Sequence, residues 1–383
     1  MNIGVIGYGL RLQGMASLVL KRHPEVNLTA IVDVDWEKVE ERLLAEGLDK
    51  NKIRYYSSAV EMLANEDLDG VMIGTRCNLH TQYAIEVMKT GIPIFLEKPV
   101  STNMEDLREL EQAGKESNSP IVVSFPLRLT EIAKFAKDIV DSGEIGTIEN
   151  VNAWNDVPYG SVYFHNWYRD ESITQGLFLQ KATHDFDLIN YMVGIKPAKI
   201  CAMTSKQIFK GHMPANLKCD DCEKKETCQE SKFYYERYRR DHSNGEYCCY
   251  ATDTGNEDSG SAIIRYETGM HASYSQNFYA RHKAARRGMR LFGYKGTLEF
   301  DFYADDIIRV YSHLNKQVSV YNVPKLDGGH GGGDIVLADN FVNVMKKKEE
   351  SKTTLDLGIL SALMCLKAKE SANRDVFCDI KLY

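Results

Sequence analysis

Short apolar segments alternate with helical segments through the first 125 residues, and this alternation constrains the fold more than any other feature. The predicted strands are Asn2–Ile6, Leu28–Val34, Ile53–Tyr56, Gly70–Ile73, Ile92–Leu96 and Pro120–Phe125. Segments that favour helix lie between them, at Leu12–Arg22, Trp36–Glu46, Ala59–Ala64, His80–Thr90 and Met104–Ser117. Such alternation with short connections predicts right-handed βαβ units and a doubly wound parallel sheet.

The turn after the first strand has two of the three glycines of a dinucleotide-binding fingerprint. Gly7 and Gly9 let the backbone approach a pyrophosphate at a helix N-terminus, but Leu12 stands where the third glycine is usual. Asp33 closes the second strand, at about the spacing (roughly 20 residues) at which a carboxylate binds the adenosine ribose. A carboxylate there favours NAD over NADP. The alternatives are a plain glycine turn and a strand-end aspartate, with Asp35 as the competing acid.

Two further segments follow predicted strands at the carboxyl edge of the sheet, where doubly wound folds bind ligands. They are Gly74-Thr75-Arg76-Cys77-Asn78-Leu79-His80 and Glu97-Lys98-Pro99. Downstream come Gly176-Leu177-Phe178-Leu179-Gln180-Lys181-Ala182-Thr183-His184-Asp185-Phe186-Asp187 and Gly293-Tyr294-Lys295-Gly296-Thr297-Leu298-Glu299. In this order the set resembles the glucose–fructose oxidoreductase, inositol dehydrogenase and MocA (Gfo/Idh/MocA) family over nearly the whole chain, in a branch with a cysteine-rich insert.

The resemblance implies an α/β protein of two domains, in keeping with the length of 383 residues. Residues 1–125 would form an NAD-binding Rossmann domain. Residues 126–383 would form a substrate-binding and oligomerisation α/β domain with a large, mostly antiparallel sheet. Alternating apolar and polar residues at Ser261–Tyr266 and His271–Phe278 agree with such a sheet.

The implied function is hydride transfer between a sugar, cyclitol or sugar-acid hydroxyl carbon and the nicotinamide. The implied enzyme is an NAD(P)-dependent dehydrogenase acting on CH–OH groups. The cofactor contacts implied in the first domain are Gly7, Gly9, Leu10, Arg11, Asp33, Thr75, Asn78, His80, Glu97 and Lys98. The alternatives are a redox-neutral, NAD-dependent glycosidase or lyase that oxidises a ring carbon transiently, and a cofactor-sensing protein without catalysis.

The resemblance also implies catalytic residues. Lys98 would lie beside the substrate hydroxyl, where its cation stabilises a developing alkoxide. His184 matches the family's catalytic histidine, and its imidazole would take the hydroxyl proton. Many sugar dehydrogenases of the family have aspartate where this chain has Gln180, and Lys181 lies on nearly the same helix face as His184. Lys181 is therefore a third catalytic candidate, or a solvated lysine at the helix edge.

The predicted substrate contacts come from three segments. Gln180 and Asp187 lie on the catalytic helix, and Asp187 would orient His184 or complete a local network. Trp167 and Arg169 lie in an aromatic segment suited to a sugar pocket, where rings stack on C–H faces; the alternative is an aromatic cluster at a sheet edge. His330 lies in a glycine-rich string that either reaches the substrate or forms a flexible hairpin.

Five of the nine cysteines lie in a highly charged segment, predicted as an insert at about residues 210–250. The spacing of Cys219, Cys222, Cys228 and Cys248 suits a structural zinc ion, with Cys249 as the alternative fourth ligand and His212 as another. An iron–sulfur cluster and a metal-free thiol patch are the alternatives.

Composition excludes some partners. A net charge of −7 argues against nucleic-acid binding, which needs a basic surface. The N-terminus shows no secretory signal, and no apolar run approaches the roughly 18 residues of a membrane span. We therefore expect a cytoplasmic protein that binds neither nucleic acid nor membrane. The family resemblance implies a homodimer or homotetramer that binds a small carbohydrate-like molecule.

Overall fold

The computed structural model describes residues 1–239, 245–304, 306–324 and 326–383. Its N-terminal elements are β1 (Asn2–Ile6), α1 (Leu10–Arg22), β2 (Asn27–Val32), α2 (Trp36–Ala45), β3 (Arg54–Tyr56), α3 (Ala59–Asn65), β4 (Gly70–Ile73), α4 (His80–Met88), β5 (Ile94–Leu96), α5 (Met104–Glu116) and β6 (Ile121–Val123). The strands pair in parallel in the order β3-β2-β1-β4-β5-β6. This is the doubly wound order of dinucleotide-binding folds, and it confirms the predicted fold class.

The remaining elements of the described ranges are the nine strands of a second sheet and seven further helices. They are α6 (Glu131–Asp141), β7 (Ile148–Asp156), α7 (Val162–His165), α8 (Glu171–Thr174), α9 (Thr183–Val193), β8 (Pro197–Ser205), α10 (Lys232–Tyr234), β9 (Ser259–Tyr266), β10 (His271–Asn277), β11 (Arg286–Gly293), β12 (Gly296–Asp301), β13 (Ile307–Ser312), β14 (Val318–Asn322), α11 (Gly333–Met345), α12 (Leu355–Arg374) and β15 (Cys378–Asp379). The nine strands run in the order β14-β13-β12-β11-β7-β10-β9-β8-β15. Within this second sheet, β7 and β10 are the only described strands that pair in parallel, so the sheet is mostly antiparallel, as predicted.

The chain divides into two compact units that are interleaved in sequence. Unit 1 comprises Met1–Lys134, Pro324–Leu363 and Leu382–Tyr383, and unit 2 comprises Phe135–Val323 and Met364–Lys381. The predicted division instead placed every residue after 126 in the second domain. Helix α11 packs in unit 1 because its apolar face is buried there, with Phe341 5.8 Å from Phe95 between ring centroids. None of the described helices is long and apolar enough to cross a membrane.

Candidate active site

The turn between β1 and α1 leaves room for a ligand backbone. Gly7 has φ +83°, and a Cβ atom there would lie 2.7 Å from the backbone of Thr75, so only glycine fits. Gly9 precedes α1 in an extended conformation, with no side-chain cap on the helix and no atom within 4 Å of an added Cβ. This 13-residue helix therefore begins without a side-chain cap and with open space beside Gly9, as the binding of an anion at a helix N-terminus requires.

The glycine missing from the fingerprint has a counterpart on another strand. Leu12 is fully buried, and a Cβ atom added to Gly74 would overlap its Cδ2 atom. Gly74 directly follows β4, which pairs with β1. A third glycine usually lets the start of the helix pack closely against the sheet. Here Gly74, which has no side chain, leaves the space that the Leu12 side chain fills.

Asp33 lies at the end of β2 and is held by the backbone on both sides. Its Oδ2 atom accepts from the Tyr8 N–H at 2.7 Å, and its Oδ1 atom accepts from the Asp35 N–H at 3.0 Å. Each carboxylate oxygen keeps further acceptor capacity for a ribose hydroxyl. Asp35, the competing acid, instead caps α2 by accepting from the Lys38 N–H at 3.2 Å.

Arg11, predicted as a cofactor contact, binds protein carboxylates. Its Nε atom donates to Glu97 at 2.8 Å, and its terminal nitrogens donate to both oxygens of Asp334 at 2.8 Å. His330 lies 3.0 Å from Asp334 through Nδ1, in the left-handed conformation. Burial alone would raise the pKa of the Asp334 carboxyl. The hydrogen bonds and the positive charges of His330 and Arg11 outweigh burial and hold the pKa of Asp334 well below its usual range. Arg11 and Glu97 are thus joined in one network, and His330 belongs to unit 1.

His80 connects the two segments that follow β4 and β5. It is buried, with Nδ1 2.8 Å from the Pro99 carbonyl and Nε2 3.3 Å from the Thr75 carbonyl. Burial lowers the pKa of His80, so the neutral ring donates from Nδ1 in the shorter contact. Lys98 is half-buried, and the Lys98-Pro99 peptide is cis. Asn78 is exposed.

In unit 2 the predicted catalytic segment begins with a π-helical turn, Phe178–Ala182, that continues into α9. Such turns are frequent at functional sites. Glu257 holds the start of this turn by accepting from the N–H groups of Leu177 at 2.8 Å and Phe178 at 3.0 Å. The segment places the buried residues Lys181 and His184 on successive turns, with Asp187 buried one turn further on.

Gln180, Trp167 and Arg169 make protein contacts in unit 2. The Gln180 side chain donates to the Thr174 carbonyl at 2.9 Å. Trp167 stacks on Tyr168 with 3.8 Å between ring centroids. Arg169 is buried, pairs with Asp253 and lies 4.8 Å from the Tyr247 ring centroid.

Sequence reasoning missed two residues of this site, Asp185 within the segment and Tyr159 in contact with it. The carboxylate of Asp185 is buried and accepts from Asn155 at 2.8 Å, Tyr274 at 2.7 Å and Arg287 at 2.7 Å. The Lys181 ammonium donates to the Tyr159 hydroxyl at 2.5 Å. Asp185 directly follows His184, which was a usable signal, whereas Tyr159 follows β7 and has no signal in the spacing.

The predicted zinc site is not supported. Across residues 1–239, 245–304, 306–324 and 326–383, no three His, Cys, Asp or Glu side chains are grouped so that they could hold a metal ion. Cys219, Cys222, Cys228 and Cys248 are thiols that form no disulfide among the described residues. Burial raises the pKa of the Cys219 and Cys248 thiols, and the neighbouring cysteines raise it further. Residues 240–244 of the predicted insert lie outside the described ranges.

Apolar packing and backbone pairing hold the insert instead. Phe209 and Cys249 are buried in a cluster with Phe164 and Phe278. The Cys219 N–H donates to the Glu246 carbonyl at 2.8 Å, and the Cys248 N–H donates to the Leu217 carbonyl at 2.8 Å. These contacts supply the constraint that the sequence argument had assigned to a metal.

Comparison with known proteins agrees with this architecture. A model of the oxidoreductase family with an NAD-binding Rossmann fold matches residues 1–125, and a model of the GFO/IDH/MocA C-terminal domain matches residues 134–299. The putative oxidoreductase YteT of Bacillus subtilis is 25% identical over an alignment of 320 residues that covers 73% of this chain and 73% of that protein. Myo-inositol 2-dehydrogenase of Thermotoga maritima is 26% identical over 204 residues, 53% of this chain and 58% of that protein.

Solved structures share the fold over its full extent. Levoglucosan dehydrogenase in complex with NADH superposes with a TM-score of 0.79 at 19% identity, covering 100% of this chain and 99% of that one. Myo-inositol 2-dehydrogenase from Lactobacillus plantarum gives a TM-score of 0.73 at 20% identity, with coverage of 100% and 99%. The two family models adjoin along most of the sequence, and both predicted sheets are present. The chain therefore belongs to the Gfo/Idh/MocA family of oxidoreductases, whose N-terminal domain has an NAD-binding Rossmann fold.

Proposed function

We propose that this protein is an NAD-dependent dehydrogenase that oxidises a hydroxyl-bearing carbon of a sugar, cyclitol or sugar acid. The observation that supports it most is the open amide end of α1 behind Gly7 and Gly9, with the Asp33 carboxylate at the neighbouring strand end. Relatives named inositol and levoglucosan dehydrogenases support the CH–OH chemistry and the carbohydrate class of substrate.

The residues of unit 1 fit a dinucleotide. Gly7, Gly9 and the exposed Leu10 would border the pyrophosphate and ribose, and Asp33 would accept a ribose hydroxyl. A 2′-phosphate would meet the negative charge of Asp33, which favours NAD over NADP. Thr75 and Asn78 would border the cofactor after β4. Arg11, His80 and Glu97 would act by holding these loops, since their described contacts are to the protein.

The bound cofactor supplies the hydride acceptor. In unit 1, the Lys98 cation would stabilise the alkoxide that forms as the substrate hydroxyl loses its proton. In unit 2, His184 and Lys181 are the candidate residues for that proton transfer, and Gln180, Asp187 and Trp167 are candidates for substrate positioning. His330 would order the loop before α11 through Asp334.

The test is reduction of NAD⁺ and NADP⁺ by the purified protein with a panel of sugars, cyclitols and sugar acids. We expect NADH formation with at least one class and a preference for NAD⁺ that falls in Asp33→Asn. Lys98→Ala should lose turnover yet bind NADH, whereas Lys89→Ala, at an exposed lysine after α4, should keep both. Absence of both NADH binding and turnover would contradict the proposal.

The named relatives are dehydrogenases and oxidoreductases, so no observation favours the redox-neutral glycoside-processing alternative. The homodimer or homotetramer and the cytoplasmic location stay predictions. Light scattering of the purified chain tests the first.

A further inference from the structure

A lysine and a tyrosine in unit 2 form a close pair, and the lysine precedes His184 by three positions in the sequence. The Lys181 ammonium lies 2.5 Å from the Tyr159 hydroxyl and 4.5 Å from the centroid of the same ring. It also lies 5.8 Å from the Tyr163 ring centroid. One cation is therefore directed at both the oxygen and the π-system of Tyr159, an arrangement that favours the phenolate.

The backbone fixes Tyr159 at the end of β7. The Val157 N–H donates to the Asn277 carbonyl at 2.9 Å, and the Gly160 N–H donates to the Val157 carbonyl at 3.2 Å. A Cβ atom on Gly160 would overlap the Phe278 backbone, so only glycine permits this approach. The phenol is thus presented from a defined turn next to a paired strand, which is the rigid support that proton transfer needs.

Charges from several elements face the Tyr159 hydroxyl. Lys181 comes from the π-helical turn, Arg287 from β11 and Tyr303 from the segment after β12, and Asp185 of α9 binds the far side of Arg287. Burial raises the pKa of Tyr159, but the charges of Lys181 and Arg287 outweigh burial and bring it to about 8. Burial raises the pKa of Tyr163 and Tyr303, so Tyr159 is the tyrosine of this cluster that ionises first.

Exposure separates Tyr159 from its neighbours. Tyr159 is 44% exposed, whereas Lys181 is 6% and His184 is 5% exposed. Tyr159 is therefore the residue of this pair with solvent-accessible surface, although desolvation of its hydroxyl still raises its pKa.

We infer that Tyr159, with Lys181 bound to its hydroxyl, is a further catalytic proton-transfer residue of unit 2 in the proposed dehydrogenase reaction, in addition to the candidates His184 and Lys181. This inference rests on the proposed function and names a residue for it. In the oxidation, the phenolate oxygen takes the substrate hydroxyl proton and becomes a phenol, the C–O bond becomes C=O, and the C–H electron pair leaves as hydride to the nicotinamide. In the reduction, the phenol returns the proton to the alkoxide.

The first test does not depend on turnover. Phenolate absorbance of the cofactor-free protein is titrated with pH, and the wild type should show one tyrosine ionising near pH 8. Tyr159→Phe should remove that step, and Lys181→Met should move it to higher pH because a neighbouring cation is lost. Tyr294→Phe, at a tyrosine that is 82% exposed in the β11–β12 turn, is the matched control and should keep it. A wild type without the step, or a step that Lys181→Met leaves in place, would overturn the inference.

The second test is kinetic. Tyr159→Phe should lower kcat by roughly 10²–10⁴-fold, the usual contribution of general acid–base catalysis, and leave the NADH affinity unchanged. Lys181→Met should move the basic limb of the pH–rate profile, and Lys181→Arg should restore it in part. If Tyr159→Phe keeps full turnover while His184→Asn loses it, the inference is overturned and the proposed function stands. If no substrate is turned over although the phenolate titrates near pH 8, the proposed function fails, and the catalytic role of Tyr159 with it.

Discussion

The guanidinium of Arg11 and the carboxylate of Asp334 form a two-pronged ion pair at 2.8 Å although 323 positions separate them in the chain. Arg11 lies in the first turn of α1, and Asp334 lies in the first turn of α11. The same guanidinium binds Glu97, the residue before Lys98. Arg11 therefore joins the glycine-rich segment before α11 to the β1–α1 turn and to the segment after β5.

We expect Asp334→Asn to destabilise the protein by about 2–3 kcal/mol, because the neutral amide cannot replace the charge-assisted hydrogen bonds that the buried Asp334 carboxylate makes with Arg11. The pKa of Asp334 is held well below its usual range, so its stabilising charge is present above pH 4 and lost only in stronger acid. Asp334→Asn should therefore lose stability at both pH 5 and pH 8 in urea unfolding. Asp327→Asn, at an exposed aspartate of the same segment, should stay within about 0.5 kcal/mol.

A substitution of Gly9 in the β1–α1 turn should affect cofactor binding more than stability. Gly9→Ala meets no atom within 4 Å, so stability should change by no more than about 1 kcal/mol. The added methyl group faces the space proposed for the pyrophosphate, and the dissociation constant for NADH should rise about tenfold or more. Fluorescence titration with NADH measures this, and unchanged affinity would argue against that position of the cofactor.

Gly74→Ala should instead lower the stability of the protein. The new Cβ atom would overlap Leu12, and overpacking of this kind costs about 1–3 kcal/mol. In a double-mutant cycle, the combination with Leu12→Ala should be less destabilising than the sum of the single changes by more than about 0.5 kcal/mol. Strictly additive effects would show that the two residues do not compete for the same space.

These contacts show how far the sequence alone could predict the site. The Rossmann fold could be predicted because each strand and helix of residues 1–125 has a local pattern of apolar residues that indicates its type. Leu12 could not be reconciled with the fingerprint from the sequence, since the compensating Gly74 is on another strand. The carboxylate partner of Arg11 was equally hidden, because a contact over 323 positions has no local signal.

The cysteine segment shows the converse error. Spacing indicated metal ligands at Cys219 and Cys222, because local composition offered no other constraint on a charged segment. In the structure, Phe209 and Cys249 pack in one apolar cluster with Phe164, which precedes Phe209 by 45 positions in sequence. Apolar packing at a distance cannot be read from cysteine spacing.

Two cysteine substitutions distinguish packing from metal binding. Cys249→Ser places a hydroxyl in an apolar cluster at a residue that is 1% exposed, and should cost about 1–3 kcal/mol. Cys222→Ser, at a half-buried thiol, should cost no more than about 0.5 kcal/mol. A chelator should leave the thermal unfolding midpoint unchanged. A structural zinc would reverse the ranking of the two variants.

Buried His165 should make the protein sensitive to mild acid. Its Nδ1 atom lies 2.6 Å from the Tyr247 carbonyl, at the end of the cysteine segment, and burial lowers its pKa to about 4. The unfolded chain takes up this proton near pH 6.5, so the neutral folded form loses stability as the pH falls from 6.5 towards 4. Integrated over that window, the effect is at most about 3 kcal/mol.

His165→Asn keeps a donor for the Tyr247 carbonyl and removes the titrating ring. Urea unfolding at pH 7 and pH 4.5 should therefore show a smaller difference in this variant than in the wild type. His271→Asn, at an exposed histidine of β10, should keep the wild-type difference because an exposed ring is not desolvated on folding. If His165→Asn loses as much stability between the two pH values as the wild type does, another group is responsible for the acid sensitivity.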